Sequence, residues 1–194
     1  AGNFDAAIRS YSLAEDAASG TDDYYLLGLI NNAVGNLHFE QYDLDEALQR
    51  DQQAASFFHR AQSPYNEALA YIGVGTVYSL KGDNEQMEIV YNKAIEIYKE
   101  LNATDKILPL YEDIIIETKL NTGIDLSSIK RDLRHYYTIY NNGRIPIQSM
   151  GLWQGIYLKA NELDSARLCG EIILRNRQLL MHIRSPVAIL YWNG

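Results

Sequence analysis

The sequence predicts an all-α fold built from antiparallel helix pairs. Two positive observations support this prediction: an internal repeat of forty residues, and apolar residues that recur at helical spacing on both sides of each repeated segment. No alternating apolar and polar run of strand length competes with it. The chain has 194 residues, a length typical of one domain or of one stretch of a repeat array. We therefore expect a single repeat domain over residues 1–194, with about five helix pairs.

Four short segments carry the repeat and align without gaps. Each has a turn-forming residue, then a polar or acidic residue, then an apolar-periodic run, which is typical of a bend between two helices. Their first residues are 40, 40 and 79 positions apart, and a weaker copy, Thr122–Ser128, lies in the long interval. The segments are Gly2–Ala7, Tyr42–Ala47, Gly82–Met87 and Asn161–Ala166.

The four prolines are expected near the start of the first helix of a unit. Proline is tolerated there because the N–H groups of the first turn have no helical partner. The residues are Pro64, Pro109, Pro146 and Pro186.

The third unit carries the clearest pattern: a small residue, an aromatic, a glycine at the bend, a small residue or Met, an aromatic and an alanine. The residues are Gly75, Tyr78, Gly82, Met87, Tyr91 and Ala94. This pattern resembles the tetratricopeptide repeat (TPR). In the second unit Tyr42 and Asp51 depart from it. The fourth unit matches the pattern poorly, and a register shifted by one residue stays open. Its pattern positions are occupied by Thr118, Ser127, Arg131 and Arg134.

The resemblance implies a TPR-like right-handed α-solenoid whose concave groove is lined by the first helix of each pair. The spacing of 40 exceeds the usual 34, and six extra residues add about 9 Å of helix. Long repeats of this kind resemble sensor domains of bacterial signalling and regulatory proteins. The implied function is a non-enzymatic protein- or peptide-interaction module.

The register of the resemblance assigns a set of groove-facing residues. Asn32 and Asn36 are four positions apart, so their amides share one helical face and suit the backbone of an extended peptide. In related TPRs, asparagines at such positions contact peptide backbone; contact with water alone is the alternative. The predicted binding residues are Leu29, Asn32, Asn36, Phe39, Glu40, Ile72, Thr76 and Glu112.

The polarity of this wall bears on the class of ligand. Co-chaperone TPRs hold a C-terminal carboxylate with lysines and arginines, whereas the wall here has Asn, Thr and Glu. We therefore expect a neutral or basic segment and not a carboxylate ligand.

Charge is unevenly distributed along the chain. The net charge of −8 argues against direct nucleic-acid binding. Residues 1–122 sum to −12 and residues 123–194 to +4. The basic residues are either a solvated helix face or a docking surface for an acidic partner, for which a second copy of this chain (a homodimer) is one candidate. A scaffold or self-association domain with no groove ligand is thus the alternative function. The basic patch consists of Lys130, Arg131, Arg134 and Arg144.

No pattern in the sequence indicates catalysis, a metal or a cofactor. A single cysteine, Cys169, fits a small core residue, and the four histidines form no local metal motif. Gly73-Val74-Gly75 fits small residues at a helix contact, not a nucleotide-binding loop. No apolar run reaches the length of about 18 residues that membrane insertion needs. The many tyrosines are expected to pack between helices.

The two ends of the sequence look like interrupted repeats. The chain opens at a bend, and its last segment, Ser185–Gly194, resembles a first helix. We therefore expect a piece of a longer protein, whose output activity lies elsewhere. Cytoplasmic and periplasmic locations both stay open.

Overall fold

The structure is a computed structural model that describes residues 2–120 and 125–176. Within these ranges every regular element is helical, which confirms the all-α prediction. The chain divides into two compact units, residues 1–110 and 111–194. The expectation of one domain over residues 1–194 stays a prediction. None of the helices in the described ranges has the length and apolarity needed to cross a bilayer.

The first unit contains five helices and the start of a sixth. The bounds are α1 (Gly2–Ser19), α2 (Tyr24–Glu40), α3 (Leu44–Arg60), α4 (Pro64–Leu80), α5 (Asn84–Glu100) and α6 (Thr104–Ile115). A π-helical turn, Ile116–Leu120, continues α6 in the second unit. The second unit then has α7 (Leu126–Tyr140), a 3-10 turn (Ile147–Ser149), α8 (Met150–Lys159) and α9 (Leu163–Arg175).

Helices α2 to α5 follow a period half as long as the sequence repeat. Each has 17 residues, and their starts are 20 residues apart. Helix α2 packs against α3, α3 against α4, and α4 against α5. The forty-residue repeat is therefore two helical segments of equal length, and the extra residues relative to an ordinary TPR are shared between both helices.

One three-residue bend recurs between these helices. Its middle residue is left-handed, with φ of 63° at Tyr42, 53° at Gln62 and 74° at Gly82. The next residue caps the following helix and donates its backbone N–H to the carbonyl five residues earlier, at 2.9 Å from Asp43 to His38. This bond is the 6→1 hydrogen bond of a Schellman motif. The predicted bends at 42–47 and 82–87 are confirmed.

The same bend joins α8 to α9. Asn161 is left-handed with φ of 59°, and Glu162 caps α9 and donates its N–H to the carbonyl of Tyr157 at 2.8 Å. The predicted bend at 161–166 is therefore confirmed. Asp125 caps α7 through hydrogen bonds from the N–H groups of Ser127 and Ser128. The first copy lies inside the start of α1, and residues 122–124 of the weaker copy lie outside the described residues, as does Ser185–Gly194.

The predicted register of the fourth unit is wrong. Pattern positions were assigned to Ser127, Arg131 and Arg134, but these residues are exposed, whereas Ile129 and Leu133 are buried. Successive helix caps are 40, 42 and 37 residues apart, at Asp43, Asp83, Asp125 and Glu162. The fourth unit is therefore displaced by two positions from a strict forty-residue repeat. The interval before Asp125 contains the π-helical turn, whose wider winding takes up extra residues.

The prolines follow the prediction only in part. Pro64 is the first residue of α4, as expected, and Pro146 precedes the 3-10 turn before α8. Pro109, however, lies inside α6, five residues after Thr104, where it cannot donate to the carbonyl of Asp105. The assignment of Pro109 to a helix start is therefore wrong. Pro186 lies outside the described residues.

In each pair of the first unit a glycine of the first helix lies against an aromatic ring of the second. A Cβ on Gly28 would lie 2.7 Å from the ring of Phe58, and one on Gly75 would lie 2.2 Å from the ring of Tyr91. Because real Cβ atoms do not come so close to other atoms, these positions need glycine at the present spacing. The interpretation of Gly75 as a helix-contact residue is confirmed.

The left-handed bend residues make a stability prediction. Tyr42 has φ of 63° and is 69% exposed, so it carries the strain of an L-residue while packing little. We expect Tyr42→Gly to raise the free energy of unfolding by about 0.5–1 kcal/mol, measured by urea denaturation. Gly82 occupies the equivalent bend at φ 74°, so Gly82→Ala is expected to lower it. A destabilised Tyr42→Gly variant would contradict the strain argument.

Candidate functional site

The predicted groove residues of the first unit lie on α2 and α4, the first helices of two consecutive pairs. All seven reach solvent. Leu29 is 42% exposed, and Asn36 and Glu40 are also exposed. The partly buried members are Asn32, Phe39, Ile72 and Thr76. Their contact with a bound peptide stays a prediction.

Helix α3 places one carboxyl group between α2 and α4. Asp51 is only 3% exposed. A Cβ on Gly35 would lie 2.5 Å from Asp51 Oδ1, and a Cβ on Gly73 would lie 2.5 Å from Asp51 Oδ2. Any side chain on either glycine would therefore collide with the carboxyl group. The two glycines allow this acidic group to lie against both helix backbones.

An aromatic residue occupies the equivalent position of the next pair. Asp51 and Tyr91 each lie eight residues after a helix cap, Asp43 and Asp83 respectively. The Tyr91 ring lies against Gly75, and its hydroxyl is 3.3 Å from Thr76 Oγ1. Asp51 thus puts an ionisable group where the neighbouring repeat has a packing ring.

The Asp51 carboxyl has one weak polar contact among the described residues. Asn32 Nδ2 donates to Oδ1 at 3.5 Å, which is long for a hydrogen bond. Burial raises the pKa of Asp51 to about 7, and the contact with Asn32 opposes that rise only in part. The carboxyl group is therefore partly protonated near neutral pH.

The neighbouring cation, Arg50, pairs with residues other than Asp51. Arg50 Nη1 donates to both carboxylate oxygens of Glu15, at 3.0 and 2.9 Å, and its Nε donates to Glu46 at 3.1 Å. Arg50 Nη1 also donates to Asn31 Oδ1 at 3.1 Å. This network connects α1, α2 and α3 and pairs the Arg50 guanidinium with two carboxylates. No ion pair with Asp51 occurs in the described part of the chain.

In the second unit, the predicted groove residue Glu112 takes part in an internal hydrogen-bond network. Tyr137 Oη donates to Glu112 Oε1 at 2.8 Å, and Ser149 Oγ donates to the same oxygen at 2.6 Å. Trp153 Nε1 in turn donates to Tyr137 Oη at 2.9 Å. Burial raises the pKa of Glu112, while these donors lower it. A structural role accounts for this residue, and its contact with a ligand stays a prediction.

Next to Glu112 is an acid that the sequence analysis did not single out. Burial, with repulsion from Glu112 and Glu117, raises the pKa of Asp113 to about 7. No group of three or more His, Cys, Asp or Glu residues within 2–120 and 125–176 could hold a metal ion. Asp113 is partly exposed, so its side chain still reaches solvent.

The four residues of the basic patch have different surroundings. Lys130 Nζ pairs with Glu162 and lies 5.8 Å from the centre of the Tyr157 ring. Arg131 donates to Ser128 Oγ at 3.2 Å, and the Arg134 guanidinium lies 5.5 Å from the centre of the Trp153 ring. Arg144 is exposed. Use of this patch for docking or for a homodimer stays a prediction.

Cys169 is buried, with 5% exposure, and burial raises the pKa of its thiol. Its interpretation as a small core residue is confirmed.

The comparison with protein families decides the identity of the first unit. The family model described as tetratricopeptide repeat matches residues 25–100. Residues 25–100 are tetratricopeptide repeats. These TPRs comprise α2 to α5, and therefore contain Asp51 and the seven exposed or partly exposed groove residues. TPRs generally mediate protein–protein interaction and are generally non-enzymatic.

A solved structure shares the helical repeat fold. The crystal structure of BtubC (BKLC) from P. vanneervenii matches with a TM-score of 0.69 and 15% sequence identity, over 95% of this chain and 77% of that chain. At this identity the similarity shows the fold alone. It supports the predicted α-solenoid of helix pairs. No curated protein sequence matches the chain.

Asp51 appeared in the sequence only as a departure from the TPR pattern. The available signal was a charged residue in an aromatic position, together with glycines in both neighbouring first helices. Gly35 is a pattern glycine, but Gly73 is not, and its contact with Asp51 comes from the packing of α3 on α4. Spacing along one helix does not reveal such a contact with another pair.

Burial of Asp51 makes a prediction about pH and stability. Because its pKa is about 7 when folded and near 3.8 when unfolded, ionisation favours the unfolded chain. The free energy of unfolding is therefore highest below about pH 4 and falls as the pH rises to about 7. The total fall is at most about 4 kcal/mol. We expect Asp51→Asn to be more stable than wild type at pH 8 and to differ little at pH 4.5, by urea denaturation. An equal difference at both pH values would contradict this origin.

Two buried tyrosines predict opposite effects of the same substitution. The Tyr98 hydroxyl has no hydrogen-bond partner in the described part of the chain, whereas the Tyr137 hydroxyl joins Trp153 to Glu112. We expect Tyr98→Phe to leave the free energy of unfolding unchanged or to raise it by about 1 kcal/mol. Tyr137→Phe is expected to lower it by about 1–3 kcal/mol. Equal effects in calorimetry would contradict the described network.

Proposed function

We propose that the chain is a non-enzymatic interaction module that binds an extended peptide or partner segment along α2 and α4. It would act within a bacterial signalling or transcriptional regulatory protein, as the long repeat suggests. The observation that carries the proposal is Asn36: its side chain is exposed and makes no hydrogen bond within the described residues. Its donors and acceptor are therefore available to a ligand.

Neighbouring residues supply the other contacts that such a ligand needs. Leu29, Phe39 and Ile72 offer exposed or partly exposed apolar surface. Asn32 lies one helical turn before Asn36, and among the described residues its amide has only the long contact with Asp51. Backbone groups of an extended segment give up hydrogen bonds to water when they dock, and such amides would replace those bonds while apolar burial adds to the affinity.

Charge favours a neutral or basic segment. The seven groove residues of α2 and α4 include one exposed acid, Glu40, and no lysine or arginine. Asp51 adds an acidic group between the same helices. A C-terminal carboxylate would meet no cation on this wall, and its desolvation would oppose binding.

Asn36→Ala tests the assigned surface. A random twelve-residue peptide display library is first selected on residues 1–194, and the enriched peptide is then titrated by fluorescence anisotropy. We expect Asn36→Ala to weaken binding by about 1–2 kcal/mol, roughly 5- to 30-fold, because one or two hydrogen bonds are lost. Thermal stability should not change, since Asn36 is exposed.

Asn92→Ala is the matched control, because Asn92 is exposed on α5, the second helix of its pair. Unchanged affinity of Asn36→Ala would contradict the assigned surface. Failure to enrich any peptide would contradict the function and favour the scaffold alternative. Sedimentation analysis of an Arg131→Glu, Arg134→Glu double variant would then test self-association.

A further inference from the structure

We infer that Asp51 determines the specificity of the α2–α4 surface by pairing with a cationic side chain, a lysine ammonium or an arginine guanidinium, of the bound segment. The inference rests on the proposed function and deepens it, because it assigns the chemical class of the ligand. It adds a residue that the TPR pattern does not predict as part of the groove.

The neighbours through which a ligand would approach the carboxyl group lie on the first helices on either side. Asn32 of α2 and Gly73 of α4 both contact Asp51, and both are partly exposed. Gly73 has no side chain to cover the carboxyl group. Ile72 and Thr76, which belong to the predicted groove, lie on the same helix as Gly73. Asp51 itself is only 3% exposed, so a slender cationic side chain would reach its carboxyl group through a local movement at Asn32 or Gly73, beside residues already assigned to the ligand.

Packing alone does not account for an aspartate at this position. In the next pair Tyr91 fills the equivalent position and brings its ring against Gly75. A buried carboxylate is costly unless a cation or several hydrogen bonds compensate it. Arg50, the adjacent cation, is paired with Glu15 and Glu46. The protein thus keeps an acid whose counter-charge is absent from the described residues.

A ligand cation would supply that counter-charge. Asn32 Nδ2 already points at Asp51 Oδ1, so the amide would help to hold the carboxylate while a cation approaches. Since burial raises the pKa of Asp51, pairing with a cation would lower it again and would release a proton near neutral pH. A neutral side chain at the same place would give neither effect. The pair would therefore discriminate between segments that have and lack a basic residue.

A double-mutant cycle, in which the peptide cation and Asp51 are removed singly and together, tests the pair. Peptides selected from the random library on wild-type protein are expected to carry Lys or Arg at one fixed position. Replacing that residue by norleucine should weaken binding to wild type about 10- to 100-fold. Asp51→Asn should weaken binding of the parent peptide to a similar extent. In this variant, replacing the basic residue by norleucine should cause little further loss of affinity. Comparing Lys and Arg peptides identifies the preferred cation.

Asp16→Asn is the matched control, since Asp16 is exposed on α1 and the substitution changes net charge equally. Circular dichroism checks that each variant is folded. Peptides that bind without a basic preference, and equally to Asp51→Asn, would overturn the inference and leave the proposed function standing.

If no peptide binds, the proposed function fails, and small probes still test the cation site. Titration of n-butylammonium or ethylguanidinium should shift the carboxyl carbon resonance of Asp51 and lower its pKa by NMR. A shift with either probe would support cation binding at Asp51 independently of peptides. No shift with either probe would overturn the inference.

Discussion

The three-residue bend between helices is the constraint on which the first unit depends. At each bend one residue takes the left-handed conformation, and the next residue closes the finished helix and caps the new one. Because left-handed residues recur every 20 positions, at 42, 62, 82 and 102, the helices between them, α3, α4 and α5, have the same length. Equal lengths then place equivalent residues of successive helices in equivalent contacts. The similarity of the environments of Asp51 and Tyr91 follows from this regularity.

Regular packing also explains why a single residue that differs between two repeats changes the chemistry of one of them. The position eight residues after the cap lies where a second helix meets the glycine of the preceding first helix. A tyrosine there adds apolar contact and places its hydroxyl near Thr76. An aspartate at the same place brings an ionisable group into a desolvated environment. The scaffold is unchanged, but the surface between α2 and α4 acquires an acidic character that apolar packing would not produce.

The sequence predicted the features that depend on local chemistry. The bends at 42–47, 82–87 and 161–166 were predicted because caps and left-handed residues act over a few positions. The same reasoning failed in the fourth unit, where the π-helical turn Ile116–Leu120 shifts the register. It also misplaced Pro109, because a helix that loses one hydrogen bond can still be held by packing.

Sequence alone determined the all-α class and the forty-residue period, since helical periodicity and capping are local properties. Only the tertiary structure decided that Asp51 lies between Gly35 and Gly73, and that Glu112 is held by Tyr137 and Ser149. The physical reason is that desolvation is a property of the surroundings. The groups that surround Asp51 belong to other helices, so no spacing within α3 records them.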